Sequence, residues 1–144
     1  MTWSEPTDQE LKEIIGSARN VAVVGASSDT SKPSYRVFNY LQEKTSLTLF
    51  PINPKEETIA GVKAFSSLQE VPAPIDICVV FRRPEFMPEV LDAAISVGAK
   101  VLWMQLGIRN EDVAEKATNK GMKVVQDRCI KIEHDRLFKV SESE

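Results

Sequence analysis

At 144 residues with 42% apolar side chains, the chain can bury one sizeable core and is expected to form a single domain over residues 1–144. Lys and Arg number 18 against 21 Asp and Glu, a formal charge of -3, so no global positive field favours nucleic acid or an anionic membrane surface. No stretch approaches the roughly 20 apolar residues of a membrane span, and the amino terminus lacks the basic start and apolar core of a secretory signal, which makes the cytoplasm the expected compartment.

Thr7-Asp-Gln-Glu10 has the form of a capping box, and Leu11, Ile14, Ile15 and Ala18 follow at helical spacing. A first helix is therefore predicted over about 8–18, as a lid or side-packing element. Asn20 to Val24 is an almost unbroken apolar run rich in β-branched residues, as in a central parallel strand covered on both faces. The run breaks at Gly25, which can take backbone conformations closed to other residues, and Ala26, Ser27 and Ser28 allow a ligand close to the main chain. A helix opening at Pro33 or Ser34, with Val37, Phe38 and Leu41 on its buried face, directs its N–H groups and positive dipole end into the same space. Lys32 and Arg36 lie where they can meet an anion there.

Leu47 to Ile52 reads as the second strand and leaves Asn53, Pro54 and Lys55 at its exit. Dinucleotide sites place an Asp or Glu near this point to bind ribose; Asn53 and Lys55 point instead to a ligand with additional negative charge. Gly61 to Phe65 is a short extended stretch, Ser66 to Val71 a brief helix ended by Pro72 and Pro74, and Ile75 to Phe81 a third strand containing Cys78 as an inert hydrophobe. A helix is predicted over Glu85 to Val97, a fourth strand over Lys100 to Met104, a helix capped by Asn110 and stopped at Gly121, and a fifth strand over Met122 to Gln126. A final charged helix spans about 130–139. The βαβ alternation predicts an α/β fold, a doubly wound Rossmann-like parallel sheet of about five strands with helices on both faces.

Ligands of open α/β sheets bind beyond the carboxyl ends of the strands. That rule gathers the 25–32 turn, Asn53 to Lys55, Phe81 to Pro84, Gln105 to Ile108 and Asp127 to Cys129 on one rim. Backbone donors with Ser27, Lys32, Lys55, Arg82 and Arg83 suit phosphates, while Phe81 and Pro84 offer an apolar edge. Cys129 sits beside Arg128 at the same rim, where a thiolate is somewhat favoured and a mixed disulfide with a ligand thiol is conceivable. The single histidine, His134, is read as a solvated helix residue, and no catalytic residue is assigned. Glu56 and Glu57 read as solvated, and no cluster of Cys, His or acidic residues has metal-ligand spacing.

The first turn, with Pro51-Ile-Asn-Pro-Lys55, Phe81-Arg-Arg-Pro84, Trp103-Met-Gln-Leu-Gly-Ile108 and Asp127-Arg-Cys-Ile130, resembles the small stand-alone CoA-binding proteins with a Rossmann-like domain. These are related to the CoA-binding domain of succinyl-CoA synthetase alpha subunits and NDP-forming acyl-CoA synthetases. The resemblance covers about residues 10–138. It implies that Gly25, Ala26 and Ser27 hold the CoA pyrophosphate, that Pro54 and Lys55 meet CoA phosphate charge including the ribose phosphate, and that Phe81, Arg82 and Pro84 border the adenine and pantetheine path. Gly107 and Ile108 match the family's loop after the fourth strand. The synthetases transfer phosphate through a histidine in a further domain and need a nucleotide-grasp domain, neither of which this sequence contains.

The sequence thus points to binding of coenzyme A or acyl-CoA, non-catalytic alone, with a protein partner or a second copy of the chain as further candidates for association. Two other readings stay open: an acyl-thioester or redox enzyme using Cys129, and an NAD(P)-dependent oxidoreductase, which Asn53 disfavours.

Overall fold

The apolar runs form five parallel strands in the computed structural model, which describes residues 2–139. In chain order the elements are α1 (Asp8–Ser17), β1 (Asn20–Val24), α2 (Pro33–Lys44), β2 (Thr48–Ile52), the short strands β3 (Thr58–Ile59) and β4 (Val62–Lys63), β5 (Ile77–Val80), α3 (Met87–Ser96), β6 (Val101–Met104), α4 (Glu111–Asn119), β7 (Lys123–Val125) and α5 (Ile130–Phe138). The main sheet has the order β2-β1-β5-β6-β7, all parallel, and β3 and β4 form a separate antiparallel pair. The chain winds outward from β1 to β2, then returns past β1 to β5 and winds the other way. The switch point therefore lies between the exits of β1 and β5.

Side-chain alternation divides the core into two layers. Ala22, Val24, Cys78, Val80, Leu102 and Met104 face a cluster completed by Met87, Val90 and Leu91 of α3 and Val113 and Ala117 of α4. Val21, Val23, Ile77, Val79, Trp103 and Val125 face the other side, against Leu11, Ile14 and Ile15 of α1, Val37, Phe38 and Leu41 of α2, and Ile130 of α5. Burying each large apolar side chain contributes about 1.5–3 kcal/mol, so strands covered on both faces anchor the sheet. Cys78 lies in this core, where burial raises its thiol pKa to about 12. Trp103 is wholly buried, and its indole N–H donates to the Arg128 carbonyl at 2.8 Å, which satisfies the ring's polar atom.

Local signals act where expected. The Thr7 hydroxyl accepts from Glu10 N–H at 3.1 Å and the Glu10 carboxylate from Thr7 N–H at 2.8 Å, completing the capping box of α1. Asn110 caps α4 by accepting from Val113 N–H at 3.1 Å. The helix expected over Glu85 to Val97 instead starts as a 3-10 turn at Pro84–Phe86 before α3 begins at Met87. Among the described residues, no helix is long and apolar enough to cross a membrane.

His134 departs from the sequence reading. It is buried rather than solvated, with Nδ1 placed 2.8 Å from the Tyr40 hydroxyl of α2 and its ring stacked on Phe138. Burial lowers its pKa, partly offset by the Asp135 charge, while burial and then Asp135 push Tyr40 up to about 12. Lys131 lies over the Tyr40 ring at 5.7 Å.

Two stability predictions follow from this packing. Gly25 has φ +84, and a Cβ there would overlap the Phe81 carbonyl; Gly25→Ala is expected to cost at least about 3 kcal/mol in denaturant unfolding, through left-handed strain and overpacking together. Because the folded pKa of His134 lies below its unfolded value, the unfolded chain takes up the proton first on acidification. The contribution of His134 is full above about pH 6.5 and is lost as the pH falls through its folded pKa. Urea midpoints measured from about pH 8 down to about pH 5.5 should fall in the wild type and vary less in His134→Gln.

Candidate functional site

A cleft of about 570 Å³ opens at the carboxyl-terminal rim, over the switch point. One side is Gly25 with Lys32, Pro33, Ser34 and Val37 at the start of α2, and the other is the Phe81 to Pro84 exit of β5. Gln105, Leu106, Gly107 and Ile108 from the β6 exit, with Cys129 and Ile132 at the start of α5, close the far end. A depression of about 620 Å³ at the opposite edge of the sheet is lined by Lys100, Lys120 and Lys123 with Asp76. Lys100 is engaged with Asp76 there at 3.5 Å, and none of the predicted site residues is present.

Of the residues singled out from sequence, the cleft brings together Gly25, Lys32, Phe81, Arg82, Arg83, Pro84, Gly107, Ile108 and Cys129. Ala26, Ser27, Ser28, Arg36, Asn53, Pro54 and Lys55 are not among its lining residues. Ala26 is buried, and the Ser27 hydroxyl braces the turn by accepting from Asp29 N–H at 3.0 Å. Arg36 donates to the Ser31 carbonyl at 2.9 Å. Asn53 is a structural link: its amide donates to the Ala26 carbonyl at 2.8 Å and its side-chain oxygen accepts from Lys55 N–H at 2.8 Å. Pro54 and Lys55 are exposed at the β2 edge of the same rim.

Glu56, read from sequence as solvated, is hydrogen-bonded across this rim. Its carboxylate accepts from the Ser28 backbone N–H at 3.1 Å and from the Ser28 hydroxyl. The 25–32 turn therefore presents donors that a carboxylate occupies. Asp29 is held below the usual carboxylate range by its hydrogen bonds from the Ser31 hydroxyl and N–H. Lys32 is the N-cap of α2 without a side-chain cap, and with Pro33 and Ser34 it lines the cleft, so the positive end of the helix dipole and the Lys32 charge lie beside that space.

At the other end, two buried glutamines fasten the exit loops: Gln105, which the sequence places on the rim, and Gln126, which it gives only as the end of a strand. Gln105, immediately after β6, accepts from Ile130 N–H at 3.0 Å and so fixes the start of α5. Gln126, immediately after β7, accepts from Asn110 N–H at 2.8 Å. The Asp127 carboxylate accepts from Gly107 N–H at 2.7 Å, joining the β6 and β7 exits. A polar residue directly following the buried end of a strand was the available signal for both glutamines. Among the described residues, no group of three or more His, Cys, Asp or Glu is placed to hold a metal ion.

A family model described as a CoA binding domain matches residues 19–135. An uncharacterized protein from Bacillus subtilis, YneT, is 39% identical over 129 residues, covering 90% of this chain and 95% of its own. The alpha subunit of ADP-forming acetate–CoA ligase II from Pyrococcus furiosus is 31% identical over 124 residues; the match takes in 79% of this chain but only 27% of that subunit. Among solved structures, a Thermus thermophilus protein superposes with a TM-score of 0.87 at 35% identity, covering 92% of this chain and 100% of its own. With the match spanning β1 to α5, and so every strand of the sheet and the whole rim, the chain belongs to the CoA-binding domain family.

Proposed function

We propose that the protein binds coenzyme A or an acyl-CoA along the carboxyl-terminal rim of its sheet. The observation that carries this reading is the cleft at the switch point, flanked by the glycine turn and an uncapped helix start, in a chain of the CoA-binding family. The pyrophosphate is assigned to the Gly25–Ala26–Ser27 turn, with Ser28, Lys32 and Arg36 as the surrounding donors and cations. Gly25 admits close approach of the main chain, and the α2 dipole favours the anion. The nucleotide lies toward the β2 edge, where Asn53 orients the loop and Pro54 and Lys55 meet the ribose phosphate. Phe81 and Pro84 provide an apolar wall for the adenine and the pantetheine arm, with Arg82 and Arg83 on its rim. The arm then runs past Gly107 and Ile108 toward Cys129.

The chain's own groups in this assignment bind and orient; no bond-making step is assigned to them. His134 is committed to the Tyr40 hydroxyl in the α2–α5 interface.

Calorimetric titration of the reduced protein with CoA tests the reading, with dephospho-CoA, which lacks the ribose phosphate, and NAD as comparisons. Saturable binding of CoA and weaker binding of the other two are expected. Lys55→Ala should weaken CoA about fivefold, as expected for one exposed charge pair, and leave dephospho-CoA nearly unchanged. Equal losses for both ligands would remove Lys55 from the ribose phosphate, and no saturation with CoA would overturn the reading.

A further inference from the structure

Beyond the far end of the cleft lies a second chamber of about 320 Å³. Leu106, Cys129 and Ile132 stand on the boundary and line both spaces. Leu106 and Ile132 are 65% and 52% exposed, unusual for large aliphatic side chains and set side by side where the cleft gives way to the chamber. The chamber's other walls are polar and include Glu5, Arg109, Gln126 and Arg128.

Gln126 is only 1% exposed. The bond from Asn110 N–H to its Oε1 fixes which way the amide is turned. Its Nε2 has no hydrogen-bond partner, the one buried side-chain nitrogen or oxygen in that condition among the described residues. A buried amide donor without an acceptor is costly, and native structures rarely keep one without a role.

The neighbouring charges narrow what can supply the acceptor. Arg128 is held between Glu5 at 3.1 Å and Glu133 at 3.2 Å. Arg109 is paired with Glu111 at 2.6 Å and lies over the Trp3 ring at 5.4 Å. Asp127 and Glu133 also line the chamber, so its cations are already matched by carboxylates. An entering carboxylate would meet these acids without a free cation, whereas a neutral oxygen meets only the waiting N–H.

One wall of the chamber comes from the segment ahead of α1. Glu5 lines it and is held by Arg128.

We propose that the chamber receives the acyl group of a CoA thioester, and that the acyl group it selects is short and carries an uncharged oxygen, a hydroxyl or ketone, that accepts from Gln126 Nε2. This rests on the CoA-binding reading above: with the nucleotide at the β2 edge, the thioester end arrives at the β6 and β7 exits. Leu106 and Ile132 then cover the apolar stem beside the thioester, and the oxygen-bearing tip passes beyond them.

The test is calorimetric titration of the full chain with CoA, butyryl-CoA, β-hydroxybutyryl-CoA and succinyl-CoA. β-Hydroxybutyryl-CoA is expected to bind about tenfold more tightly than butyryl-CoA, the worth of one buried hydrogen bond, and more tightly than succinyl-CoA. In Gln126→Met that advantage of the hydroxylated over the plain ester should vanish. Equal affinity of the wild type for the hydroxylated and plain esters, a preference for succinyl-CoA, or an advantage that survives Gln126→Met would overturn the proposal. The wild-type comparison decides alone if the variant does not fold. Failure of CoA itself to bind would instead remove the CoA-binding reading and the chamber's role with it.

Discussion

The contact on which the rim depends is the closure of β1 against β5 at Gly25. The Phe81 N–H donates to the Val24 carbonyl at 2.8 Å and the Gly25 N–H to the Ile52 carbonyl at 3.1 Å, so hydrogen bonding continues past the strand ends on both flanks of β1. The backbone of Phe81 thereby lies against the α-carbon of Gly25 with no room for a side chain. This close approach makes a rigid floor at the switch point, and the loops that part above it form the cleft walls. Small residues after Gly25 serve the same geometry: Ala26 is packed beneath the turn and Ser27 stiffens it from within.

The two ends of the rim are fastened differently. On the β2 side the links run through exposed or half-buried polar groups, Asn53 to Ala26 and Glu56 to Ser28. On the β6 and β7 side they run through buried ones, Gln105, Gln126 and the Trp103 indole, with Asp127 bridging the loops at a positive φ of 57. Buried hydrogen bonds in a low dielectric hold geometry more firmly than exposed ones. The β6 and β7 exits are therefore the firmer wall, and the β2 exit is the one better able to adjust to a ligand.

The sheet was legible because its strands are apolar on both faces and bounded by Gly, Pro and Asn, and the helices because their buried stripes recur at helical spacing with caps in register. The rim rule then placed Gly25, Lys32, Phe81 and Cys129 around one cleft although they are far apart in sequence. Contacts with no local signature were not legible. His134 sits among Lys131, Glu133, Asp135 and Arg136, a neighbourhood that reads as solvated, yet its partner Tyr40 comes from another helix. Glu56 is followed by another acid and reads as surface, but the Asn53 turn swings it back to Ser28. Asn53 reads from the sequence as a ligand-facing residue; its amide also reaches the Ala26 carbonyl, a contact between loops that a strand-exit position does not announce.

Glu56 also bears on the selectivity of the rim. A carboxylate that engages Ser28 N–H and hydroxyl satisfies the turn in the absence of any other anion, and it holds those donors in an orientation fit for oxygen. A phosphate approaching the same donors must displace Glu56 or share them with it, at a cost in like-charge repulsion that solvent and salt screen in this exposed turn. Only a ligand bringing further favourable contacts, to Lys32 and the α2 dipole on one side and to Lys55 on the other, offsets that cost. An isolated phosphate gains one of these contacts, whereas a ligand with separated phosphate groups spanning the turn and the β2 exit gains both. If the proposed nucleotide binds at this rim, the acid in the loop favours an extended, multiply charged ligand over a simple anion, because only the former gains contacts on both sides of Glu56.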